Sequence, residues 1–188
     1  MPMDFWTLVS IVAGSSVISA VVTIGVDTYR RQRTSKRHNS LLAMQLAFLF
    51  EDYAINCASA LSDHDMADQS QGAAGKNLQS IPTLLLLPEE DYKEFDQEML
   101  AQVLDFPQRI RMADEEAGFY FEVEGEESAL ACNYRSTVTL AARALDIGAA
   151  MRRAYNLPQR NLVYGKFDVR EYLEEEAKKI ATSEGSTE

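Results

Sequence analysis

Asp63, His64 and Asp65, in "SDHDM", place an imidazole between two carboxylates, all groups capable of binding a metal. A transition metal would need imidazole and carboxylate groups converging on one point. Adjacent residues on a helix point in different directions. The other histidine, His38, sits in a basic run, so no second cluster completes a site. The triplet is read as a surface helix end, and no metal or cofactor is expected.

The remaining chemistry-bearing residues lead to the same place. Cys57 and Cys132 each lie among apolar residues, where a thiol acts as a small hydrophobe. Two cysteines define neither a disulfide framework nor a zinc spacing. Asp114 to Glu116 and Glu174 to Glu176 read as solvated faces rather than acid–base pairs. No glycine-rich phosphate loop, paired CxxC or HExxH motif occurs. Asn56 and Asn133 interrupt apolar stretches and are expected to fix helix register through buried amides. No catalytic residue is assigned.

The elements that would position these residues begin with an unusual segment. Residues 5–26 comprise 22 positions without a charge. At about 1.5 Å per residue they can cross a hydrocarbon core of roughly 30 Å. Phe5, Trp6, Leu8, Ile11, Val17, Ile18, Val22 and Ile24 form the apolar surface of this expected membrane anchor, and its polar members are hydroxyls that bond back to the helix. A buried soluble helix fits poorly, because a basic cluster follows. A cleaved signal peptide would carry its bases before the apolar run, where only Asp4 stands.

Arg30, Arg31, Arg33, Lys36 and Arg37 make a collar expected to stay on the cytoplasmic side and to touch lipid headgroups. The N-terminus would then lie outside and the rest of the chain in the cytoplasm. Gly14, Ser15, Ser16, Ser19 and Ala20 offer a small-residue face suited to close contact with another helix.

Charge divides at the same boundary. Residues 1–37 hold five bases against two acids, whereas residues 38–188 hold 13 bases against 27 acids. So acidic a domain would be repelled by phosphate backbones, which argues against nucleic-acid binding.

Past the collar, the spacing predicts an all-α fold: a single N-terminal transmembrane helix followed by an irregular antiparallel helical bundle. The expected divisions are an anchor at 1–29, a basic segment at 30–38, an acidic helical domain at 39–181 with a flexible loop at 66–80, and a disordered tail at 182–188. Within the domain, Leu42, Leu46, Leu49, Tyr53, Cys57 and Ala60 predict a helix ending near Leu61, widened by Leu41, Phe48 and Ile55. "TLLLL" between Pro82 and Pro88 is expected to cross the core, with the membrane surface as its alternative. Asp96 should cap a short helix, and Pro107 should start a new one in which Ile110, Ala113, Ala117 and Phe121 share a face. Gly125 marks a turn before a long helix at 128–155, whose line includes Arg152. Asp168 should cap the last helix, with Phe167 and Tyr172 as its staple. No strand alternation stands out.

The expected partners are the lipid bilayer and an unidentified protein or a second copy. The favoured function is a membrane-tethered interaction or assembly module. The alternative is a membrane-associated enzyme or ligand sensor with a cleft in the bundle.

Overall fold

Four helices and one small hairpin make up the described part of the chain. The structure, a computed structural model, describes residues 38–86, Tyr92 and residues 95–184. The chain divides into two units, Met1–Leu41 and Leu42–Glu188. The expected anchor, the basic collar, the small-residue face, Leu87 and the last four residues lie outside the described residues.

Helix α1 is His38–Gln69. Leu42, Leu46, Phe50, Tyr53, Cys57 and Leu61 recur at spacings of four and three and are buried. Ala43, Ala47, Ala54 and Ala58 fill the same face and allow close approach. By length and composition α1 is apolar enough to cross a membrane, but 56% of its most apolar window is buried inside the fold. Its apolarity serves the core. Leu41 and Phe48, expected to widen the stripe, are instead exposed, as is Asn56.

The expected end near Leu61 is also corrected. The helix runs two turns further, because Asp65 and His64 find partners on other elements and Ala67 is buried. It ends at Gln69, and Gly72, with a left-handed φ of 83°, brings its N–H to the Ala67 carbonyl at 2.8 Å. The following segment, expected to be a free loop, folds back onto α1. Lys76 donates its backbone N–H to the Asp63 carbonyl at 3.1 Å, and Asn133 holds the carbonyls of Leu78 and Gln79. Gly75 makes this approach possible: a Cβ there would stand 2.1 Å from the Asp63 carbonyl oxygen, at a φ of 78°. Gly75→Ala is expected to cost about 1–3 kcal/mol in urea unfolding as the segment lifts from the helix.

The leucine run does not lie wholly in the core. Leu84 and Leu86 pack against it while Leu85 is 84% exposed, the alternation of an extended chain.

Helix α2, Gln97–Val123, begins at Asp96, whose carboxylate accepts the Met99 N–H at 3.0 Å. Pro107 lies inside this helix rather than starting another. Proline removes one helical hydrogen bond there, but Val103 and Phe106 before it and Ile110 after it bury into one core, which holds both halves in line. Past Ala117 the helix leaves that core, and Phe121 is exposed rather than joined to the Ile110 face. Gly125, at φ 99°, turns the chain into α3, Glu126–Ala154, two residues earlier than expected. Two glutamates in its first turn and two arginines in its last match the helix dipole.

A short antiparallel hairpin follows, pairing β1, Val163–Tyr164, with β2, Phe167–Asp168. Its signal was Gly165-Lys166 between aromatic residues, with Gly165 at φ 65°. Asp168 then caps α4, Val169–Glu184, accepting the Arg170 N–H at 2.9 Å, and the Phe167 and Tyr172 rings meet at 5.2 Å. Helix α4 continues past the expected start of the tail.

The centre of the core is aromatic. Phe106 of α2 presents edges to Phe50 and Tyr53 of α1, at centroid distances of 5.1 and 5.3 Å. Beside it, burial raises the Cys57 thiol from an ordinary 9.0 to about 12, and burial also raises the Tyr53 phenol. The folded protein keeps both groups neutral where the unfolded chain begins to ionise them. Their contribution to stability is therefore complete below pH 9 and is lost as pH rises toward the folded values. Cys57 in the folded chain is expected to resist alkylation at pH 8–9 and to react at the ordinary thiol rate in urea, measured by mass spectrometry.

Candidate functional site

The end of the bundle where α1 stops holds an open cleft of about 820 Å³. Three helical elements build its polar floor. Asp65 comes from α1, Tyr134 from α3, and Glu176 and Lys179 from α4, with Tyr172 of α4 bonded to Asp65. The Tyr134 hydroxyl donates to Glu176 Oε2 at 2.7 Å and lies 3.2 Å from Asp65 Oδ1. Tyr172 donates to Asp65 Oδ2 at 3.1 Å, and Lys179 Nζ donates to Glu176 Oε1 at 2.6 Å. One phenol thus bridges two carboxylates with one proton. Burial, then the hydrogen bond to Glu176 and the charge of Asp65, push the Tyr134 phenol above its ordinary range. Burial and then the charges of Asp65 and Glu176 do the same at Tyr172. The hydrogen bond that Lys179 donates to Glu176 raises the Lys179 ammonium. These phenols are therefore fixed donors, not bases.

His64 completes the wall. Its Nδ1 accepts the Leu78 N–H at 3.3 Å, so the neutral ring carries its proton on Nε2, and its ring lies 5.4 Å from that of Tyr134. Asp68, Glu124 and Glu127 stand around the mouth, with Tyr120, Leu130 and Ala131 supplying apolar wall. The triplet, expected at a surface helix end, lies within α1 instead. Its members diverge: the Asp63 carbonyl to the Lys76 N–H, His64 to Leu78, and Asp65 to two tyrosines. Among the described residues no group of three or more histidine, cysteine, aspartate or glutamate side chains could hold a metal.

Glu176 escaped the sequence reading, which placed it on a solvated face with Glu174 and Glu175. It is 2% exposed. The signal was its register, three residues after Leu173 and seven after Val169, both buried. Tyr134→Phe would leave a buried Glu176 oxygen without its donor, and is expected to cost about 1–3 kcal/mol in urea unfolding.

A second polar cluster ties α1 to α3. Arg152, 2% exposed, donates from Nε to Glu51 Oε1 at 2.5 Å and from Nη2 to Oε2 at 2.7 Å. Its Nη1 donates to the Pro158 carbonyl. Arg160 approaches Asp52 at 2.7 Å, and the two guanidinium groups stand 5.0 and 5.1 Å from the Phe48 ring centroid. Gly148 permits the fit, since a Cβ there would come within 3.2 Å of Glu51 Cγ. Both Glu51 carboxylate oxygens are already engaged by Arg152, which makes the cluster a structural clamp.

Asn133 is buried and holds the returning segment, as a register-fixing amide would, whereas Asn56 faces solvent. Cys57 and Cys132 are buried free thiols.

No known protein family, no curated protein and no solved structure matches this chain.

Proposed function

We propose that this protein is a single-span membrane-tethered interaction module, with residues 5–26 in the bilayer and the helical domain offered to another protein in the cytoplasm. The uncharged run and the collar of Arg30, Arg31, Arg33, Lys36 and Arg37 support the tether and its orientation. One contrast along α2 carries the interaction reading. Its first half buries Val103, Phe106 and Ile110 and exposes Leu104 alone among large apolar residues, while its second half exposes Met112, Phe119, Phe121 and Val123. Large apolar side chains gathered at one exposed end mark a contact surface.

The experiment is photo-cross-linking of the full-length chain in native membranes from a benzophenone side chain at position 119. A discrete, reproducible protein adduct is the expected result, and its absence counts against the reading. The second reading, a ligand-binding or catalytic cleft, draws on the converging His64, Asp65, Tyr134, Glu176 and Lys179. It predicts that a small molecule, rather than a protein, protects the cleft from chemical modification.

A further inference from the structure

We propose that the exposed face at the end of α2 receives a basic amphipathic helix of the partner protein. This rests on the interaction reading and names the chemistry of the partner. Met112, Phe119 and Val123 are spaced by seven and four residues, which puts them on one stripe of the helix. They are 59%, 61% and 63% exposed. A stripe of this kind suits the apolar face of another helix lying along it.

Charge identifies which helix. Between Met112 and Tyr134 the chain carries Asp114, Glu115, Glu116, Glu122, Glu124, Glu126 and Glu127, and no lysine or arginine. The nearest preceding base, Arg111, pairs with Glu115 at 3.5 Å. The stripe lies next to the cleft in sequence, through Tyr120. Phe119 meets the Tyr120 ring at 6.1 Å, and Tyr120 lines the cleft, where the acids Asp65, Asp68, Glu124, Glu127 and Glu176 outnumber the bases Arg135 and Lys179. An occupant with leucine-like residues on one face and lysine or arginine beside them satisfies both features. Anionic lipid does not, because this face would be repelled by headgroup phosphates. A second copy meeting the same face would set two acidic surfaces against each other, which disfavours a symmetric dimer through α2.

The test uses the full-length chain in phosphatidylcholine nanodiscs, with a benzophenone side chain at position 119 or, as a control, at position 163 in β1. The probe is a synthetic helix with leucine on one face and lysine on the other; its counterpart carries glutamate for every lysine. The lysine helix is expected to label from position 119 and not from 163, with an apparent affinity at least about tenfold tighter than the glutamate helix. Combining Glu115→Gln, Glu116→Gln and Glu122→Gln, all at exposed positions, is expected to weaken labelling about tenfold with an unchanged melting curve. Phe119→Ala, with the benzophenone moved to 123, should weaken it by a similar factor. Equal labelling by both helices, indifference to the triple substitution, or preferential cross-linking of one copy of this chain to another overturns the proposal. Failure of the lysine helix alongside a discrete adduct at 119 in native membranes overturns the partner class and leaves the interaction reading standing. No adduct at 119 in either setting removes both.

Discussion

Arg152→Ala is expected to destabilise the domain by about 3–5 kcal/mol, because it strands a buried carboxylate. Glu51 accepts both of its strong hydrogen bonds from Arg152 and lies in the α1 face that packs against Gly148 of α3. Solvent cannot replace the lost partner without opening the α1–α3 contact. Arg160 stands 3.6 Å from Glu51 Oε2 but is already engaged with Asp52, so it substitutes poorly. The same change frees the Pro158 carbonyl and so loosens the segment leading to the β-hairpin. Replacing both partners together, as Glu51→Leu with Arg152→Met, removes the stranded charge. It should cost markedly less than the single substitution, and a double-mutant cycle in urea reads the difference. Equal losses for the single and double variants would show that packing, not charge pairing, holds this contact.

Phe106→Ala is the second large effect, at about 3–5 kcal/mol. The ring is fully buried between Phe50 and Tyr53, so truncation removes its own buried surface and two edge-to-face contacts and leaves a cavity. It also sits one residue before Pro107, where α2 lacks a backbone donor and depends on side-chain packing for its continuity. Leu104, on the exposed side of the same turn, provides the comparison: Leu104→Ala is expected to fall within about 0.5 kcal/mol of wild type. The midpoint of urea unfolding followed by circular dichroism distinguishes the two.

What the sequence made legible was local. The apolar period of α1, the Asp96 cap, and the Asp168 cap with its Phe167–Tyr172 staple were readable, because each involves residues a few positions apart. Pro107 misled because its local preference for a helix start was overridden by burial on both sides of it. The end of α1 was missed for a related reason: Asp63 to Asp68 look like a polar terminus until Tyr134 and Tyr172, far along the chain, arrive as donors. Glu51 and Arg152 are 101 residues apart, and nothing short of the tertiary fold joins them. Arg152 was nevertheless placed on the helix line that faces inward. The cleft was the least legible feature, since its lining is drawn from four helices far apart in the chain, and the run it takes from α3 carries no recognisable motif.

The location of the helical domain is the property on which tethering and interaction both depend. Both native cysteines are buried, so a Phe119→Cys variant of the full-length chain reports from one exposed site. Intact cells and opened cells are treated with a membrane-impermeant maleimide, and the membranes are then washed in alkaline carbonate. The tethered, cytoplasm-facing arrangement requires position 119 to be protected in intact cells, labelled after opening, and retained in the washed membrane pellet. Labelling of intact cells, or release of the chain by carbonate, contradicts it.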